Sequence, residues 1–223
     1  QRFGMEHADQ TRQHYNDLFD PFSPQLPEYP RARLMRHYAR RGQESDGLFL
    51  SFVNLSVCGT EGDVFGNILA VLSGVTQPQA GRRILDTIYN ANASEPYPVR
   101  VVLRPLDRTH KLWRAYMARH KQNLPHQYHN GGIWPFVGGY WVMALARAGM
   151  AERARQELDR LIAMNDDDDW RFTEWFHGQS LARGGMPGQS WNAAALLLAI
   201  DAVEKMEKGQ RKAARQPALA LAD

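Results

Sequence analysis

A single cysteine, Cys58, stands in 223 residues. That excludes an intrachain disulfide and a cysteine-based zinc cluster. It fits a reducing, cytoplasmic compartment. No stretch reads as a signal peptide, and no apolar run is long enough to cross a bilayer. Charge of one sign is also scarce: the net charge is only +3. The basic residues gather in two places, Arg31 to Arg41 and Lys205 to Arg215. A nucleic-acid footprint would be a denser stripe with interleaved aromatics. Neither a nucleic-acid nor a membrane partner is therefore expected. No carboxylate and histidine spacing supports a metal, so no metal and no cofactor are expected. Hydrophobic residues make up 43% and charged residues 23%, the balance of a globular domain with one sizeable core.

What is present is helical periodicity. Prolines 21, 24, 27 and 30 mark residues 1–45 as a loop-rich lead-in, with a short basic helix possible at 31–41. The run LFLSFVNLSV at 48–57 reads as a strand or a buried loop. Asp63 is placed to cap a helix over 64–75. Gln77-Pro78 opens an amphipathic helix to about Ala91. Residues 134–148 are apolar on every side, so they predict a buried helix. An amphipathic helix over 151–164 follows, with Glu152, Arg153, Arg155, Glu157 and Arg160 facing outward. A third buried helix runs from Ser190 to about Met206. A frayed tail is expected over 208–223. Buried and amphipathic helices thus alternate, as in a toroid of helical hairpins with an inner and an outer ring. A ring of six hairpins needs about twelve helices, more than this length holds. The expectation is an all-α fold, the C-terminal portion of an (α/α)6 barrel, over 46–207.

Three polar clusters precede the three inner helices: Gly62-Asp63, Gln127 to Trp134, and Trp170 to Trp191. Parallel inner helices put their N-termini on one rim, so these clusters are expected to meet. Gln127, Tyr128, His129 and Asn130 suit sugar hydroxyls. Glu174 lies among Trp170, Phe172, Trp175 and Phe176, and a carboxylate in an aromatic collar suits glycoside chemistry. Plainer readings stand beside these. Glu174 is equally a surface glutamate beside core aromatics, Asn130 a turn residue, His129 a structural histidine and Asp63 a cap. The Asp166–Asp169 run reads as a solvated loop or, without an EF-hand pattern, a calcium site. Ser190 has no evident base partner.

The segments HQYHNGGIWPFVGGYW, TEWFHG and GMPGQSWNAA resemble the C-terminal part of bacterial amylo-α-1,6-glucosidase-like glycoside hydrolases. More distantly they resemble alkaline/neutral invertases, which carry a similar HNGG-x-WP. DVFGNILAVLSG fits the same relatives, and the resemblance spans about residues 46–204. It implies an (α/α)6 barrel and an inverting hydrolase of α-linked glucosides. It puts Glu174 in the general-base position. It also puts His129, Asn130, Gly131 and Trp134 on the sugar-binding subsite and Gln189, Ser190 and Trp191 on a second wall, with Gln127, Tyr128, Trp175 and His177 as further substrate-binding candidates. The general acid of such enzymes is an aspartate in the earlier half of the barrel. Asp46 and Asp63 lie nearest that position and neither matches, so a further N-terminal part of the barrel is an expected partner beside the carbohydrate. Two rivals remain: a sugar epimerase using His129 and His177, and a carbohydrate-binding scaffold without catalysis.

Overall fold

The computed structural model describes residues 47–52, 57–121 and 123–215. The whole lead-in of 1–45 with its expected basic helix at 31–41, Asp46, and the last residues of the tail lie outside them. Among the described residues five α-helices carry the fold: α1 Val64–Leu72, α2 Pro78–Asn90, α3 Pro135–Arg147, α4 Ala151–Asp167 and α5 Ser190–Arg215. A 3-10 helix spans Ala115–Lys121, and a two-residue hairpin pairs β1 (Trp175–Phe176) with β2 (Arg183–Gly184).

Each start has a local cause. The Asp63 carboxylate accepts from Gly66 N at 3.2 Å and caps α1. Pro78 and Pro135 open α2 and α3, where a missing N–H is harmless. The stripes Ile84, Leu85 and Ile88 on α2 and Ala154 and Leu161 on α4 turn inward. Their polar faces turn out, which makes these two helices the outer layer. The α3 helix is the hub, packing on α1, α4 and α5. Trp141 at its middle is fully buried. At about 25 cal/mol per Å² over roughly 200 Å², that burial contributes on the order of 5 kcal/mol as an upper bound. The α3–α5 crossing is close because Gly139 faces Ala195. A Cβ there would sit 2.6 Å from the Ala195 carbonyl oxygen.

Three expectations need correction. The third inner helix is not buried all round: Trp191, Leu197 and Leu198 are exposed, because α3 covers only the opposite face. It also runs on to Arg215, beyond the expected end near Met206. Ion pairs one turn apart, Lys205–Asp201 at 2.7 Å, Lys208–Glu204 at 3.0 Å and Arg211–Glu207 at 3.2 Å, support the extension. Glu157, expected outside, is fully buried. Ser94 from the connection after α2 packs over it and donates at 3.0 Å, while Arg160 donates at 2.9 Å. Burial pushes this carboxyl above the ordinary range although Arg160 pulls it down. The open reading at 48–57 resolves in its described part: Leu48, Phe49 and Leu50 are a buried loop. Asn67 of α1 pairs with both backbone groups of Phe49, at 2.8 and 3.1 Å.

Candidate active site at the helix rim

Short extended segments bind the N-terminal ends of the inner helices into one lattice. Val64 N donates to Val101 O and Leu103 N to Gly62 O, both at 3.0 Å. Val101 N donates to Gly132 O at 3.0 Å, and Ile133 and Phe176 exchange two bonds at 2.8 Å. His177 N then reaches Ala182 O at 2.8 Å. Residues near 63, 101, 133, 176 and 183 therefore lie side by side. The three polar clusters meet on one rim, as parallel inner helices require. The lattice passes through Val99–Leu103, whose β-like character is visible in the sequence, although its place between the clusters is not.

On this rim a cavity of about 180 Å³ is lined by Asp63, Phe65, Val101, Val102, His129, Trp134, Phe136 and Val137. The His129 imidazole lies flat on the Trp134 indole, with centroids 5.1 Å apart and planes within 4°. Tyr128 closes on both rings, at 4.1 and 5.0 Å. Trp134 Nε1 donates to Tyr128 O at 3.0 Å and locks the group. The imidazole keeps an exposed edge, but its covered face disfavours the charged form and holds its pKa below the ordinary value. Glu174 is close enough to pull that pKa the other way. Burial raises the Asp63 carboxyl, while the Gly66 N–H opposes the shift. Asp63 is thus a cap and a cavity wall at once.

Glu174 is half-buried and held by one residue. Its N–H donates to Met186 O at 3.0 Å, and its Oε2 accepts from Met186 N at 3.1 Å. Its Oε1 accepts no hydrogen bond from the described residues. Gln189 joins the same turn, with Nε2 donating to Met186 O at 3.3 Å. Trp175 meets Tyr128 edge-on at 6.0 Å, so it braces the first cluster.

Other expected site residues belong to the frame. Asn130 is buried, with Oδ1 accepting from Leu106 N at 2.7 Å. Its Nδ2 donates to Leu106 O and Asn123 O at 2.8 and 3.0 Å. Both amide hydrogens and one acceptor site of Oδ1 are thus engaged with backbone. Gln127 Oε1 is buried with no partner among the described residues. Gly131 adopts φ +94, and a Cβ would come 2.6 Å from Pro105 Cγ. His177 Nδ1 accepts from Gln179 N and Ser180 N at 3.2 Å, and its ring faces His126 at 6.1 Å. Its Nδ1 is thereby engaged in its own turn. Trp191 is 49% exposed and joins none of the ring contacts among the described residues.

In the Asp166–Asp169 run Asp166, Asp167 and Asp169 are exposed, as a solvated stretch would have them, and Asp168 is the exception. Asp168 is buried at the end of α4, while Asp166 and Asp167 accept from Trp170 Nε1 and the Tyr97 hydroxyl. No three His, Cys, Asp or Glu side chains gather to hold a metal among the described residues. A larger cleft of about 620 Å³ lies at the opposite ends of α1 and α3, lined by Ser73, Thr76, Arg82 and Arg147 among others. It has no carboxylate and no aromatic ring, so the rim cavity is the stronger candidate for sugar chemistry. No described helix is long and apolar enough to cross a membrane.

Several known proteins are similar to this chain. Alkaline/neutral invertase C, mitochondrial, of Arabidopsis thaliana is 23% identical over 146 residues, covering 64% of this chain and 22% of that protein. Cytosolic invertase 1 of Oryza sativa subsp. japonica is 24% identical over 156 residues, covering 69% and 27%. The chain spans about a quarter of the length of these relatives. A GH63 mannosylglycerate hydrolase from Thermus thermophilus superposes with TM-score 0.51 at 16% identity, over 74% of this chain and 37% of that one. That likeness shows the fold to be of the (α/α)6 type. The sequence profile described as alkaline and neutral invertase matches residues 44–206. The match falls on the group that the motifs placed as the more distant, and the chain belongs to the alkaline and neutral invertase family of glycoside hydrolases.

Proposed function

We propose that the protein hydrolyses an α-glucosidic bond with inversion, that Glu174 is the general base, and that it needs no cofactor. One observation carries this reading: Glu174 has one oxygen fixed by Met186 N–H and the other open, on the rim where the His129–Trp134 stack lines the cavity. The fixed oxygen sets the orientation. The open one can take a proton from water. That water's oxygen bonds to the anomeric carbon from the side opposite the leaving group, and the glycosidic C–O bond breaks. The departing oxygen receives a proton from a general acid, which we place outside the described residues, in a further part of the barrel. Asp63, already bonded to Gly66 N, serves instead as an acceptor for a sugar hydroxyl. His129, kept neutral by its cover, can donate or accept to another.

The cavity of about 180 Å³ is small beside the roughly 300–1,000 Å³ of drug-sized sites, so it suits one sugar ring. Amylo-1,6-glucosidase-type and invertase-type specificity both keep a glucosyl unit there and differ in the leaving group. The test is incubation of the intact protein with isomaltose, maltooligosaccharides, sucrose and free hexoses, followed by NMR. Release of β-glucose from an α-glucoside is the expected result, and the substrate turned over fixes the leaving group. Interconversion of free hexoses, or binding without turnover, would overturn the reading. Glu174→Gln should lower kcat by at least about a thousandfold.

A further inference from the structure

We infer that Asp168 is a positioning residue for Glu174; the inference rests on Glu174 being the base. Asp168 ends α4, and its carboxylate is only 1% exposed. A buried negative charge at a helix C-terminus is unfavourable twice over, through desolvation and through the helix dipole. Its surroundings offset that cost in a particular way. One oxygen accepts from Thr173 N at 2.9 Å, and the other from Thr173 Oγ1 at 3.0 Å and Arg183 Nε at 2.5 Å. Arg183 also donates to Asp167 O at 3.0 Å, closing the end of α4. From the other side, Asn192 Nδ2 holds Thr173 O at 2.8 Å.

Thr173 is the residue before Glu174, and Arg183 lies on β2, the strand that leads to Met186. The carboxylate therefore grips both walls between which Glu174 is held. Loss of the charge frees Thr173 and Arg183 to shift relative to each other. The Glu174–Met186 bond is the contact that must absorb the shift. A misplacement of about 1 Å in a reacting group can cost roughly a hundredfold in rate. Asp168 touches no cavity-lining residue named above, so substrate affinity should change little.

The test compares Asp168→Asn, Thr173→Val and Glu174→Gln in the intact protein, on whichever of sucrose or isomaltose it turns over. Asp168→Asn should lower kcat by about 10- to 100-fold, hold KM within about twofold, and shift the limb of the kcat–pH profile that reports the base. Thr173→Val removes only the hydroxyl bond and should give a smaller fall of the same kind. A folded Asp168→Asn protein with wild-type kcat and pH profile overturns the inference. So does a fall in activity with an unmoved pH profile, which marks a purely structural role. Should Asp168→Asn not fold, Thr173→Val with wild-type kcat and pH profile overturns it. Near-normal turnover by Glu174→Gln instead removes the base assignment itself, and separates the two failures.

Discussion

The two loops that enter the central and last inner helices are built in opposite ways. The loop before α3, residues 126–134, is fixed by backbone bonds and stacked rings: Asn130 bolts it to Leu106 and Asn123, and Trp134 carries His129. The loop before α5 adds to its short hairpin an ion pair that, among the described residues, the first loop lacks, with Asp168 binding Thr173 and Arg183. The first offers a nearly rigid apolar and polar wall. The second offers a single carboxylate, Glu174, bonded to Met186. A sugar-holding surface gains from stiff stacking, which costs little entropy on binding. A base gains from a set orientation and from a ready open oxygen. The difference in construction matches the two tasks proposed above.

Substitutions in the first loop should therefore act on stability and affinity before they act on the chemical step. The largest effect is expected for Trp134→Ala, which removes a buried indole and the support of His129. It should cost about 3–5 kcal/mol in denaturant unfolding and raise KM in the active protein. A loss below about 1 kcal/mol would show that the stack is not the frame. Asn130→Ala comes next. It strands Leu106 N, Leu106 O and Asn123 O, so about 2–3 kcal/mol should be lost, with kcat little changed in the protein that remains folded. A large fall in kcat with stability intact would return Asn130 to the sugar wall.

The smallest effect is a pH slope. His126 has a pKa lowered by burial, then by His177 and Arg100. Its folded value lies below the ordinary value of about 6.5, so the unfolded chain takes up a proton first as pH falls. Stability is complete above about pH 6.5, declines as pH drops below it, and levels off once the folded histidine also protonates. His129 contributes with the same sign. His126→Asn, which tolerates the positive φ of 67 at this position, should flatten the decline seen in Tm between about pH 5 and 7. An unchanged slope would show that the histidine cluster does not carry it.

Much of this was readable in the chain. The helices begin within a residue or two of where the caps and prolines put them, and Asp63 caps as its position suggested. The convergence of three clusters on one rim followed from alternating inner and outer helices. What was not readable concerns partners distant in sequence. Asn130 has the composition of a sugar ligand, and only the approach of residues 106 and 123 commits its amide to backbone. Glu157 has a charge that fits the outer face of α4, and only Ser94, 63 residues away, covers it. Asp168 looks like one of four solvated aspartates until Thr173 and Arg183 are seen on it.

The helices, their order, most of their buried faces and the resemblance to glycoside hydrolases are legible in the chain because periodicity, caps and short motifs are local properties. Which polar groups remain available at the rim is a property of the folded molecule. A side chain's hydrogen-bonding capacity is consumed by whatever the fold brings near it, and that neighbour is set by packing across the molecule. Hence one oxygen of Glu174 accepts no hydrogen bond from the described residues, while Asn130 and His177, equally polar, are bonded within the fold.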